Sequence, residues 1–207
     1  MAIDVREVLA SVRSLLGGGA AFIIGNSLLG IILPLRMEAA GYPVELIGMI
    51  MTAYYAGLAV GSLYGKRIIL RVGHIRAFAV FAAITAATAL AYPLAFAAVA
   101  WLLLRFVNGF CIAGLTATIE SWLNERSSNG TRGRVLGLYM VTHYLAVASG
   151  QLLVNLGDIT RPDLFMLAAG LISLSLVPVA LTRLGAPALD GHRSLSSESS
   201  MQPRLPV

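Results

Sequence analysis

The sequence predicts an all-α, polytopic membrane protein with six transmembrane helices, and three observations carry that reading. Its 207 residues are 57% hydrophobic and only 12% charged, about half the charge share of an ordinary soluble domain. Mean hydropathy is +0.81. The apolar residues gather into runs of about 20, long enough to cross a hydrocarbon core of about 30 Å at about 1.5 Å per residue. The basic residues fall in short clusters between those runs. The net charge of +5 is therefore topological and does not indicate a nucleic-acid partner.

The first run, Leu15–Leu35, ends in Pro34-Leu35-Arg36 with no small-residue cleavage site. It is too long for a signal-peptide core of about 7–15 residues and is expected to stay as helix 1. The second, Val44–Tyr64, carries Gly57 and Gly61, and Gly65 follows at the same four-residue spacing. Such a face admits a neighbouring backbone closely. The repeat is common by chance in membrane helices, but here it leads into a basic stretch, which suggests a moving contact. The third and fourth runs, Ala77–Phe96 and Ala98–Leu123, nearly fuse. A hairpin near Tyr92-Pro93 is favoured, because one helix over Ala77–Leu104 is too long for the core and would split the basic connections between two sides. Val135–Leu156 and Leu164–Thr182 complete the set.

Charge orients the stack. With six crossings, Arg6, Arg13, Lys66, Arg67, Arg71, Arg76, Arg126, Arg132, Arg134, Arg183, Arg193 and Arg204 fall on one side, Arg36 and Arg161 on the other, and Arg105 inside the membrane. The positive-inside rule then makes both termini cytoplasmic in a multi-pass protein of the cell membrane, the inner one in a two-membrane bacterium. Residues 1–14 read as the cytoplasmic N-terminus and 15–183 as the membrane domain. Residues 184–207, rich in Ser and Pro without apolar period, read as a cytoplasmic tail or truncated linker.

Polar residues are unequally shared. Helix 1 carries Asn26, helix 2 Tyr54 and Tyr55, helix 4 Arg105, Asn108 and Glu120, and helix 5 His143, Gln151 and Asn155, whereas helices 3 and 6 hold only hydroxyls. The first four are expected to line a cavity and the last two to face lipid. Arg105, Asn108, Thr116 and Glu120 share one face at the helical period. Two readings of Arg105 stay open: it attracts an anionic group or sets a neighbour's protonation, or it is structural and snorkels outward. Glu120 is expected to anchor the helix end by pairing with a loop arginine. His143 is either a proton relay or a neutral hydrogen-bonding group.

Other chemistries find no support. No G-x-S-x-G nucleophile motif occurs, the nearest match, Val147-Ala148-Ser149-Gly150, lacking the first glycine. Gly17-Gly18-Gly19 precedes a membrane helix, not a strand-to-helix turn. His74, His143 and His192 have no metal-ligand spacing, and the single Cys111 excludes an intrachain disulfide. No enzyme activity, metal or cofactor is expected.

Three stretches carry a family resemblance. Gly61-Ser62-Leu63-Tyr64-Gly65-Lys66-Arg67, with Arg71-Val72-Gly73-His74-Ile75-Arg76, resembles the loop 2–3 signature of the major facilitator superfamily, and Arg105 with Gly109 matches its helix-4 signature. Glu120-Ser121-Trp122-Leu123-Asn124-Glu125 with Arg132-Gly133-Arg134 is similar to the YcaD-like branch. The loop signature departs from the pattern where Gly65 replaces an aspartate and the second glycine waits until Gly73, so that aspartate's charge-pairing role is not carried over.

The resemblance implies the N-terminal six-helix half of a transporter that works by rocking two such halves. The expected function is transport of a small organic solute, with proton coupling an open option. Asn26, Tyr54, Arg105, Asn108, His143 and Gln151 would form cavity wall. Gly61, Gly65, Lys66, Arg67, Arg71, Gly73 and Arg76 would form a gating segment. Expected partners are the bilayer, the solute, and a second six-helix half or a second copy. The alternative is a non-transporting, oligomerising membrane protein or an inactive fragment of a twelve-helix transporter, in which the glycine face and polar stripe only bury themselves.

Overall fold

The chain is all-α with six crossings, as the apolar runs require. A computed structural model describes residues 5–95, 97–127 and 130–181. Helices α1 (Val5–Ala39), α2 (Val44–Val72), α3 (His74–Ala91), α4 (Ala98–Arg126) and α5 (Arg132–Leu152) each cross once. The sixth crossing is split into α6 (Asp163–Leu174) and α7 (Leu176–Ala180). Short 3-10 turns follow α3 at Tyr92–Leu94 and α5 at Leu153–Leu156. Phe96, at the expected hairpin turn, and the tail from 184 lie outside the described residues.

The element boundaries correct the sequence reading at several ends. The α1 helix runs back to Val5, so much of the segment 1–14 is helical. The basic stretch after Gly65 is not a loop, because α2 continues to Val72 and buries Ile69 while Lys66, Arg67 and Arg71 point outward. Long basic side chains reach solvent from a helix without ending it. The turn is Gly73 alone, at φ +83°, a left-handed conformation that costs a residue with a Cβ. Its N–H closes α2 on the Ile69 carbonyl at 2.8 Å. The break at Ser175 precedes Pro178, which has no N–H to return to the Leu174 carbonyl.

Packing rests on backbone-to-backbone approach. The α2 glycines face α4: a Cβ at Gly61 would sit 2.5 Å from the Phe110 carbonyl oxygen, and one at Gly65 3.1 Å from the Gly114 Cα. Gly57 meets Phe106 and, from the other side, Gly109 meets Tyr54 more closely still. On the far side α1 uses Gly25 against Ala168 of α6 and Gly18 against Ser175. With lipid tails as apolar as leucine, such contacts gain dispersion and backbone proximity where hydrophobic transfer gains little.

Helices 3 and 6 each have two faces, with Val80, Ile84 and Leu90 of α3 and Met166, Leu167 and Leu174 of α6 exposed as expected. Phe78, Phe81, Ala82, Ala86 and Ala89 of α3 and Phe165, Ala168 and Ile172 of α6 are buried within the bundle. Among the six crossings, α2 and α5 are the least buried. Small and apolar residues pack closest, so polarity alone does not show that such a helix also has an alanine-rich face inside.

The α5–α6 connection is tied down electrostatically. Arg36 at the end of α1 donates to the Ile159 and Arg161 carbonyls, each at 3.1 Å, and lies 5.4 Å over the Phe165 ring. Within the turn, Asp158 accepts from the Thr160 hydroxyl at 2.7 Å and its N–H at 2.8 Å. These bonds, the hydroxyl's first, hold the Asp158 carboxyl below its ordinary range.

Two outcomes follow from this packing and this turn. Gly109→Val should destabilise the bundle by about 1–3 kcal/mol through overpacking. Gly137→Ala, where a Cβ meets nothing within 4 Å, should be neutral or slightly stabilising; thermal melts in detergent compare them. A depressed folded pKa contributes order above the unfolded value and loses it as pH falls through the folded value. Thr160→Val should therefore move the Asp158 titration upward in carboxyl-detected NMR, and an unmoved titration would show that the hydroxyl contributes nothing.

Candidate functional site: a polar cavity at Arg105

The site is built from α4 outward. Arg105 and Asn108 stand three apart on that helix and so share a face. Arg105 is 5% exposed, and Asn108 is fully buried. The Arg105 Nη1 donates to Asn108 Oδ1 at 3.2 Å, and Asn108 Nδ2 donates in turn to Asn26 Oδ1 on α1 at 3.1 Å. From α2, the Tyr54 ring lies under the guanidinium with its centroid 4.6 Å from Cζ. An aromatic face at that distance attracts a cation, more strongly where water is excluded. A neutral amide chain and a π face thus solvate the charge, and no carboxylate lies within ion-pair distance of it among the described residues.

Around this chain is a cavity of about 570 Å³, bordered by α1, α2, α4 and α5. Asn26, Tyr54, Tyr55, Arg105, His143 and Gln151 give its polar lining, and Ile23, Met51, Ile112 and Val147 its apolar one. Five of the six sequence-chosen wall residues therefore share one space. Asn108, the sixth, stands behind Arg105 as its support. His143 comes from α5, its ring edge-on to those of Tyr139 and Tyr144 at 6.0 and 5.5 Å. Sequence reasoning missed Ser27, whose hydroxyl ties α1 to the Val147 carbonyl of α5 at 2.8 Å. It also missed the Gly30–Pro34 pair on the wall. Pro34 has no N–H for the Gly30 carbonyl, which leaves that acceptor without its helical partner. A proline four residues after a glycine was the available signal.

A second cleft, about 470 Å³, opens at the end where the α2–α3 and α4–α5 connections lie, between Lys66, Leu70, Glu120, Ser121, Asn124 and Arg132. Glu120 is exposed, and none of the described ion pairs includes it. It lies within electrostatic reach of Tyr139 and His143 on α5. The contact that fixes the end of α4 falls one turn later. There Glu125 accepts from the Ser121 hydroxyl at 3.4 Å and stands 3.5 Å from His74 Nε2, with the His74–Ser121 distance 3.1 Å. His74 is fully buried beside Trp122. The sequence placed it in a loop. Of the remaining motif residues, Gly61 and Gly65 pack on α4, Arg67 stacks on Tyr64 at 5.3 Å, and Arg71 and Arg76 are exposed.

The amide bridge is measurable. Asn108→Leu leaves both the Arg105 Nη1 and the Asn26 Oδ1 without their partner, so a double-mutant cycle with Asn26→Leu should return a coupling of about 0.5–2 kcal/mol. Reversible unfolding in mixed micelles gives the four stabilities. Simple additivity would mean that the two amides do not interact.

The family model for the Major Facilitator Superfamily matches residues 15–205. A protein of Escherichia fergusonii, described as the uncharacterized MFS-type transporter YcaD, is 27% identical over 204 residues, covering 99% of this chain and 52% of that protein. Its counterpart in Salmonella arizonae is 26% identical over 193 residues, covering 93% and 50%. The chain spans about half the length of the curated relatives it matches. With six apolar crossings, all-α architecture and a family match over nearly its whole length, the chain belongs to the Major Facilitator Superfamily.

Proposed function

We propose that the chain is one half of a secondary transporter and that a small organic solute passes through the cavity bordered by Arg105. The observation that carries this reading is the convergence of Asn26, Tyr54, Arg105, His143 and Gln151 on one space of about 570 Å³ inside a membrane domain. Ionisable and amide groups at that depth are costly, and those facing a common cavity mark a pathway. In this reading a second six-helix body closes the cavity, seated on α2 and α5, the least buried crossings. The basic end is cytoplasmic, with both termini there. The gating segment at that end has Gly61 and Gly65 as its contact with α4, Gly73 as its hinge, and Lys66, Arg67, Arg71 and Arg76 as its charged rim, Lys66 sharing a cleft with Glu120. His143 is the group through which proton coupling would run.

Membrane vesicles holding the chain, compared with empty ones by untargeted mass spectrometry, should show a solute whose gradient depends on it. Arg105→Ala should abolish that gradient and Arg105→Lys retain part of it, a point charge replacing a planar fork. A gradient unchanged in a stably inserted Arg105→Ala variant would remove the arginine from the path. No chain-dependent gradient, together with self-association in nanodiscs, would favour the non-transporting oligomer.

A further inference from the structure

We infer that the solute is an organic anion, and that its negatively charged end is received by the guanidinium of Arg105; this rests on the cavity being the solute path. The charge balance of the wall is one-sided. Arg105 is permanently cationic, His143 is neutral or cationic, and every other polar lining group is an amide, a hydroxyl or a phenol. No aspartate or glutamate borders the cavity among the described residues. The acidic residue next along α4, Glu120, is 15 positions on, about 22 Å at the helical rise, and it borders the other cleft. A cation entering this space would meet repulsion at Arg105 with no carboxylate on the wall, Glu120 being felt at His143 from the other cleft.

The guanidinium is also only partly used. Asn108 occupies the Nη1 corner. The Nε–H makes no hydrogen bond among the described residues, and Nη2 lies 3.9 Å from where a Cβ would stand on Gly30, a wall residue. The Nε–Nη2 edge is the one that grips a carboxylate with two parallel bonds. Gly30, having no side chain, keeps a Cβ off the Nη2 corner of that edge on the α1 side, while the Nε is itself buried. The Tyr92 phenol also stands beside Arg105 and is not part of the cavity lining. A buried charge held by neutral amides and a π face keeps its field for a ligand, whereas one paired to a carboxylate would have spent it.

The sign of the field in the cavity tests this directly. In a Cys111→Ala background, Gln151→Cys places a thiol on the wall of the full chain in liposomes. Its labelling rates by 2-sulfonatoethyl methanethiosulfonate (anionic) and 2-trimethylammonioethyl methanethiosulfonate (cationic) are each divided by the rate with free 2-mercaptoethanol. The normalised ratio should favour the sulfonate by at least tenfold. Adding Arg105→Gln should bring it to near unity, and Arg105→Lys should preserve it, which separates charge from folding. Equal labelling by both reagents, or a ratio untouched by Arg105→Gln, overturns the anion assignment and leaves a wet cavity standing. Labelling by neither reagent overturns the cavity as a solute path and the anion with it.

Discussion

A guanidinium in hydrocarbon must find its solvation in the protein, and Arg105 sets that demand for the whole bundle. Leaving an arginine at the centre of a membrane helix costs about 2.5–3.5 kcal/mol even on insertion scales. The offsetting groups come from three helices: Asn108 from α4, Asn26 from α1 through Asn108, and the Tyr54 ring from α2. They reach it because α2 and α4 touch backbone to backbone at Gly57, Gly61 and Gly109. The glycine seam and the amide chain are thus one construction. Widening the seam would carry Tyr54 away from the charge it covers.

The two faces of the bundle obey different rules. Where α1 and α4 meet α3 and α6, the interface is mainly apolar, filled by Phe22, Phe78, Phe81 and Phe165 and by alanines. Where α1 and α4 meet α2 and α5, aromatic and amide groups border an open volume. One side fixes the helices relative to each other, and the other presents chemistry. Polar ties crown both ends: Arg36 to the α5–α6 turn at one, His74–Ser121–Glu125 at the other.

Much of this was legible in the sequence, for definite reasons. Uninterrupted apolar runs of bilayer length admit few readings, and Tyr92-Pro93 marked the hairpin between two fused runs. The wall residues were legible because ionisable and amide groups are rare enough in membrane helices to point at one another. Helix ends were not, since Lys66, Arg67 and Arg71 look like a loop yet sit on a helix whose Ile69 is buried. The inner faces of α3 and α6 were not legible because alanine is equally compatible with lipid and with a neighbouring backbone. Asn108 was grouped with the wall because periodicity gives a face and not a depth. His74 was invisible as a buried contact, its partners lying 47 and 51 positions away at Ser121 and Glu125.

One residue, Gly73, is all that separates α2 from α3. Two Cα–Cα steps, at most about 7 Å, join Val72 to His74, little more than the rise of one helical turn, about 5.4 Å. The link has little slack beyond one turn of sliding. Gly73 ties the end of α2 to the start of α3, and the imidazole at the first position of α3 ties both to the tip of α4. Three helix ends thus meet at one end of the bundle, the end toward which the glycine seam of α2 runs.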